Sequence, residues 1–306
     1  MKVSIIIPTY NGSHKILKTL KCLEKQSFKN FEVIVVIDGS TDCTADLLKK
    51  QKFDFQSFKI IEQANQGRAK VRNNGAEISQ CDLLIFFDDD MRPLQDCVLK
   101  HVEHQKKYFE SILTGGVGMD LNQCKTDFQL YRAHLDKKWG LALENKFEVQ
   151  MTKENLFLSA ANFSISKKMF FELGAFDEDL NDAEDYDFAV RAYKNNSKLY
   201  FNRSAFAWHD DFINCQSYIK RLREYHKFQV LLQRKKPELY AEFYLRKAIK
   251  PKKIKSLFFI FFTNIFWIKS IDGFNWLKIF PKIFKYKIYD LITTANGVYY
   301  PEKVQL

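Results

Sequence analysis

Leu83-Leu84-Ile85-Phe86-Phe87-Asp88-Asp89-Asp90 carries five apolar residues straight into three carboxylates. A continuous apolar run of this length predicts a strand buried on both faces, as in a parallel sheet covered by helices. Three adjacent acids repel one another, so their place at one strand end points to a cation among them. If extended geometry continued through them, Asp88 and Asp90 would share one side and Asp89 would face the other. An all-oxygen ligand set suits a hard divalent ion, Mg²⁺ or Mn²⁺, which also bridges phosphates. The competing reading is an acidic turn that only solubilises a strand end.

The same punctuation recurs upstream. Residues 3–7 are apolar and end at Pro8-Thr9-Tyr10-Asn11-Gly12, and residues 31–37 end at Asp38-Gly39-Ser40-Thr41-Asp42. Between them Ile16, Leu17, Leu20 and Leu23 keep helical spacing over 14–26, with Ser13 as a candidate cap. Residues 44–51 predict a helix, 59–62 a short strand, and 67–79 a further helix. Strands and helices alternating at these lengths predict an α/β fold, a Rossmann-like and mostly parallel sheet flanked by helices. In such sheets the ligand lies beyond the carboxyl ends of the strands. Three ends here carry polar clusters, at Thr9-Tyr10-Asn11, Asp38-Gly39-Ser40 and Asp88-Asp89-Asp90, so a nucleotide-and-metal cleft is expected there.

Downstream, 93–110 predict a helix and 114–119 a glycine-rich strand that a ligand or another backbone approaches closely. Residues 125–155 are polar and receive no assignment. Residues 157–165 are apolar, with Asn162 inside the run. Residues 167–173 predict a short helix leading to Gly174-Ala175-Phe176-Asp177, and 183–194 a helix bearing Glu184-Asp185. Residues 198–201 and 205–208 read as two short strands, the second ending at His209. From 216 to 248 the pattern is a basic amphipathic helix with a break at Pro237.

The chain has 306 residues, enough for one large domain with an appendage or for two domains. Its six cysteines are scattered without a Cys-x-x-Cys pair, as expected of reduced thiols in a cytosolic protein. No uncharged apolar run reaches the length of a membrane span, and the N-terminus enters a strand at once, so neither a transmembrane helix nor a signal peptide is expected. The net charge of +11 is uneven: residues 246–290 hold eleven Lys and Arg against Asp272 and Asp290. The basic character therefore says little about the rest of the chain.

Taken together, these stretches resemble the family 2 glycosyltransferases, whose nucleotide-binding fold is called GT-A. The pieces are Val3 to Asn11, Val36 to Asp42, Asn65-Gln66-Gly67 with Arg72-Asn73, Phe87 to Asp90, Gly174 to Glu178, and Glu184-Asp185. A lone Asp-x-Asp is weak; all six in order over about 210 residues are specific. One departure is Ile37, where the family often has the first Asp of Asp-Asp-Gly-Ser. The resemblance implies an inverting transferase using a nucleotide-sugar donor, commonly a UDP-sugar, and a divalent metal. On that reading Asp38 accepts the ring N–H of the base, beside Pro8, Thr9 and Tyr10, and Arg72 and Asp89 complete the nucleotide site. Asp88 and Asp90 hold the metal, with His209 as a third ligand. Inversion needs one base and no protein nucleophile, and Asp185 fits, its proton affinity raised by Glu184. Asn162, Asp177 and Glu184 fall on the acceptor side. The bland readings are an Asx-turn for Asp38, an ion-pair partner for Arg72, a helix N-cap for Asp185, a packed strand end for His209 and a turn residue for Asp177.

The resemblance sets residues 1–215 as the catalytic domain, with a nucleotide-binding half over 1–95 and an acceptor half over 96–215. Residues 216–306 form a helical, basic and aromatic extension. There Lys252, Lys253 and Lys255 precede a run holding Phe258, Phe259, Phe261, Phe262, Phe266 and Trp267, and Lys269 follows it. That segment is too short to span a bilayer and suits an in-plane place on an anionic leaflet, so a cytoplasmic chain peripheral on the inner membrane face is expected. Packing on the catalytic domain is the alternative. No nucleic-acid partner is expected. Without a multi-span region or a Gln-x-x-Arg-Trp motif, the chain is expected to add one sugar to a glycan or lipid-linked acceptor in bacterial surface-polysaccharide synthesis. Transfer to a polyprenyl phosphate and a non-catalytic sugar-nucleotide scaffold are the rival readings.

Overall fold

The computed structural model describes residues 1–141, 148–180, 182–243, 251 and 254–306, the side chains of 138–141 excepted. It forms two compact units, Met1–Gly118 with Gly140–Asp210, and Met119–Trp139 with Asp211–Leu306.

The first unit opens with β1 (Val3–Thr9), α1 (Ile16–Glu24), β2 (Phe31–Asp38), α2 (Thr44–Lys49), β3 (Ser57–Gln63), α3 (Arg68–Ile78) and β4 (Leu83–Phe87). Then come β5 (Met91–Pro93), α4 (Cys97–Lys107) and β6 (Ser111–Gly118). The chain passes through α5 (Asp127–Leu141) and resumes the sheet with β7 (Glu148–Gln150) and β8 (Asn162–Ser166). It closes with α6 (Lys167–Glu172), α7 (Glu184–Lys194) and β9 (Lys198–His209). Among the described residues the sheet has nine strands in the order β3-β2-β1-β4-β8-β6-β9-β5, with β7 on β9. β1 is parallel to both β2 and β4, whereas β8 is antiparallel to both β4 and β6. The parallel half is the one the alternating pattern predicts; the other half is mixed. The chain leaves β1 for β2 and β3, then returns to lay β4 on the other flank of β1. That reversal opens the crevice at the carboxyl ends of β1 and β4.

The apolar runs are buried on both faces. Val3, Ile5 and Ile7 with Leu83, Ile85 and Phe87 join Ile16, Leu20 and Leu23 of α1 in one core. Ile6, Leu84 and Phe86 face a second core with Ala76, Phe163, Phe170 and Phe176. No β4 side chain is more than 2% exposed. At about 1.5–3 kcal/mol per large apolar side chain, that burial anchors the acid-bearing turn behind it.

Residues 198–209 form one strand, not two. The register of β6 on β9 jumps from Gly115↔Asn202 to Gly116↔Phe206, so the intervening residues bulge out and the pairing resumes. A Cβ at Gly115 would lie 2.3 Å from the Ala205 carbonyl and 2.4 Å from Asn162 Nδ2, so the close approach read into this strand is made by backbone and a buried amide.

The division of the chain differs from the expected boundary at 215. It falls after Asp210, and residues 119–139 leave the first unit. The reason is that Phe128 and Tyr131 of α5 pack into the second unit's own core with Cys215, Ile219, Ile268, Tyr289 and Ile292. That unit carries α8 (Cys215–Lys235), α9 (Pro237–Tyr240), α10 (Ile254–Phe261), α11 (Ile265–Phe274) and α12 (Lys282–Thr294). The break expected at Pro237 is there, with Pro237 opening α9. The end of the helix expected over 216–248, together with Lys252 and Lys253, lies outside the described residues. All six cysteines are free thiols.

Candidate active site

β4 ends at Phe87, so the three acids lie in a turn closed by the Met91 N–H donating to the Asp88 carbonyl. Extended alternation therefore does not set their directions, yet the turn separates them as expected. Asp89 points inward: Oδ2 accepts from Thr9 Oγ1 at 2.5 Å, across the gap between β1 and β4. A Cβ at Gly12 would meet Thr9 Oγ1 at 2.1 Å and Asp89 Oδ2 at 2.6 Å, so this contact requires a glycine there. This bond ties the two strand ends together.

Asp88 and Asp90 turn toward His209, and one ligand atom from each of the three lies within 4.8 Å of the others. Sheet register brings His209 there. β5 follows the acids directly and pairs antiparallel with β9, Met91 opposite His209, and the Asp210 N–H donates to the Asp90 carbonyl. Asp90 Oδ1 is buried 3.2 Å from His209 Nε2 but makes no hydrogen bond. Burial favours the neutral acid, but the neighbouring His209 and Lys15 outweigh it and hold the Asp90 carboxyl well below its usual range. An ionised, orphaned oxygen beside a second carboxylate and an imidazole fits a divalent cation.

Behind this cluster Arg72, only 4% exposed, donates from Nη2 to Asp88 and from Nη1 to Glu184 at 2.8 Å. Its Nε is buried and makes no hydrogen bond among the described residues. Glu184 and Asp185 open α7, and the preceding Ala183 adopts a left-handed backbone with φ 61°. Such a conformation costs a non-glycine residue of order 1 kcal/mol and marks a site where the chain is held against its preference. It delivers Asp185 to the first turn, where Oδ1 accepts from the Tyr186 N–H and Oδ2 from the Ala160 N–H. Burial, and then the Glu184 carboxylate, push the Asp185 carboxyl up to about 7 despite Arg72 nearby. Asp185 is thus not the helix cap; it is a carboxyl poised to exchange a proton near neutrality.

The profile of the family described as Glycosyl transferase family 2 matches residues 4–174, more than half of the chain. The chain belongs to this family. Among relatives of this glycosyltransferase is the Methanococcus voltae enzyme named dolichyl N-acetyl-alpha-D-glucosaminyl phosphate 3-beta-D-2,3-diacetamido-2,3-dideoxy-beta-D-glucuronosyltransferase. It is 26% identical over 240 residues, covering 76% of this chain and 74% of that protein. Staphylococcus aureus TarS 1-349 in complex with UDP superposes with a TM-score of 0.56 at 20% identity, over 96% of this chain and 90% of that one. A longer TarS chain is covered to 55%. The Pyrobaculum calidifontis mannosyltransferase PcManGT, in complex with GDP-Man and Mn²⁺, gives a TM-score of 0.60 at 14% identity, over 97% and 86%. These likenesses establish the GT-A fold.

On the nucleotide side of this family 2 enzyme, the Asp38 carboxylate accepts from Gln63 Nε2 and from the Gln66 and Gly67 N–H groups. It is a loop organiser with little lone-pair capacity left for a base. Pro8 is the penultimate residue of β1, opposite Val36, and Tyr10, just beyond the strand, is 53% exposed.

Three acceptor-side expectations meet committed side chains. Asn162 is fully buried: Nδ2 donates to the Gly116 and Ala205 carbonyls, and Oδ1 faces His101 Nε2 at 2.9 Å. It is a core bracket with nothing left for an acceptor, a correction to its reading as a lining residue. Asp177 Oδ1 accepts from the Asp179 N–H, an Asx-turn, while Asn73 pins that turn through both Phe176 backbone groups. Glu184 is the ion-pair partner of Arg72.

Lys15 escaped the sequence reading. Its Nζ lies 2.7 Å from Asp89 and 3.3 Å from Asp90, and both charges raise its proton affinity against the effect of burial. The signal was its place at the start of α1, where the helix dipole disfavours a cation unless an anion faces it. Ser13 does not cap that helix; Lys15 occupies the cap position, without a side-chain bond.

Proposed function

We propose that this glycosyltransferase is an inverting, metal-dependent enzyme that moves one sugar from a UDP-sugar to a glycan or lipid-linked acceptor in bacterial surface-polysaccharide assembly. The observation that carries the reading is the pairing of two unlike carboxylate groups around Arg72. Asp88 and Asp90 are candidate metal ligands on one side, and Asp185 is a proton acceptor near neutrality on the other. A divalent ion held by Asp88, Asp90 and His209 would neutralise charge on the departing diphosphate. Asp185 takes the proton of the acceptor hydroxyl as its oxygen bonds to the anomeric carbon, and the donor's glycosidic C–O bond breaks with its electrons passing to the diphosphate. Arg72 holds Asp88 and Glu184 in place. His209 would complete the metal site with Asp88 and Asp90, and the exposed Tyr10 ring would lie against the base. The UDP of the TarS complex supports the donor class, the Mn²⁺ of PcManGT the metal, and the name of the M. voltae relative a lipid-linked acceptor.

The test is product analysis with a panel of UDP-sugars and with free-glycan, lipid-linked and polyprenyl-phosphate acceptors, reading the anomeric configuration by NMR. One added sugar with inverted configuration is expected. Retention, or a polymer from the purified chain alone, would contradict the reading.

A further inference from the structure

The second unit carries an apolar face that its own core does not use. Ile254, Leu257, Phe261, Phe274, Ile279 and Ile283 are each between 61% and 83% exposed. Exposed apolar residues elsewhere, such as Phe109 and Leu94, stand singly, which is ordinary. Here they share their segment with a chain of rings that anchors it to the unit's core, Phe262 buried in that core and Trp267, Trp276 and Phe280 packed against it. Phe258 packs on Phe262, Phe262 on Trp267, Trp267 on Trp276, Trp276 on Phe280 and Phe280 on Phe284, each pair of centroids within 6.0 Å. This ladder runs from α10 through α11 to α12, and Phe261 also packs on Trp267.

The charge on this face has one sign. Residues 254–289 contain six lysines and one acid, Asp272. The Asp272 carboxylate is spent on the Cys215 and Gln216 N–H groups at the start of α8, and Lys285 is paired with Asp127. Lys255, Lys269, Lys278, Lys282 and Lys287 are exposed. We infer that this face docks on an anionic lipid bilayer, lying in the plane of the leaflet with its apolar side chains among the acyl chains and its lysines at the headgroups. The inference is independent of the transfer reaction proposed above.

Three observations select this occupant. Ile254, Leu257, Ile279 and Ile283 are aliphatic, and they offer a nucleic-acid base neither a stacking plane nor a hydrogen bond. A twofold contact with a second copy would set the five lysines against their own images. A bilayer crossing is disfavoured too. α10 and α11 span about 12 and 15 Å at 1.5 Å per residue, against about 30 Å of hydrocarbon. They meet at a 46° bend, and α11 already buries Ile268 and Ile271 in the unit's core.

The experiment is sedimentation of the full chain with phosphatidylcholine vesicles and with vesicles containing about one-third phosphatidylglycerol. Two variants are compared, Leu257→Ser/Phe261→Ser/Ile283→Ser and Lys278→Glu/Lys282→Glu, with circular dichroism to check folding and light scattering to report mass. All five positions are exposed, so both variants should fold. Binding to anionic vesicles, weakened by salt and reduced at least about tenfold in each variant, is expected. Equal binding by folded variants would overturn the inference, as would no binding by the native chain. A native dimer that the apolar variant converts to monomer, with no vesicle binding, would assign the face to a second copy instead.

Discussion

Replacing Asp185 with asparagine separates its chemistry from its contribution to stability. In the native chain the carboxyl is pushed from 3.8 to about 7 by burial and by Glu184. Between pH 4 and pH 7 the folded protein keeps a proton that the unfolded chain has released, so stability falls as pH rises through this window and levels off above it. The difference corresponds to at most about 4 kcal/mol. Asparagine cannot ionise and escapes that cost, while one of its two polar atoms now faces the Ala160 N–H as a donor, a loss of about 1–3 kcal/mol. Asp185→Asn should therefore be more stable than the native chain at pH 8, by of order 1–2 kcal/mol, and equal or less stable near pH 4. Its transfer rate should fall about 10²- to 10⁴-fold with nucleotide affinity unchanged. The native rate should drop about tenfold per pH unit below about 7. Chemical denaturation across pH, paired with single-turnover rates, reads all of this. An active variant, or a stability difference that does not vary with pH, would refute the reasoning.

Arg72→Met leaves Asp88 and Glu184 without their shared partner; a loss of about 3 kcal/mol is expected in urea unfolding, the low end for a broken buried pair because Asp88 is partly exposed. Lys15→Met removes a resident cation from Asp90, and Mn²⁺ binding without nucleotide, followed by electron paramagnetic resonance, should tighten about fivefold, the worth of a partly exposed ion pair. Weaker Mn²⁺ binding by that variant would show that Lys15 supports the metal site and does not compete with it.

The sequence made the catalytic half legible because β1, β2 and β4 are buried on both faces. Continuous apolar runs ending in polar clusters then locate the carboxyl ends of strands directly. The directions of Asp88, Asp89 and Asp90 came out as expected for a different reason, since a turn and not an extended strand sets them. What stayed hidden depends on partners far away in sequence. Asn162 looked like a ligand residue in an apolar run because His101 and the Gly116 and Ala205 carbonyls that satisfy it are 43 to 61 residues distant. α5 has no clear apolar stripe, and its Phe128 and Tyr131 find their neighbours on α8 and α12, so neither the helix nor its unit was readable locally. β9 looked like two strands because only β6 shows that the bulge interrupts one ladder.

The central claim is that the acidic turn and His209 hold a metal that a nucleoside diphosphate requires. Calorimetric titration of UDP, GDP, CDP and dTDP, with and without Mn²⁺, on the native chain and on Asp90→Ala, tests it most directly. UDP is expected to be the tightest ligand, its binding lost without Mn²⁺ and lost in Asp90→Ala. Equal UDP affinity with and without metal, or in the folded Asp90→Ala chain, would contradict it.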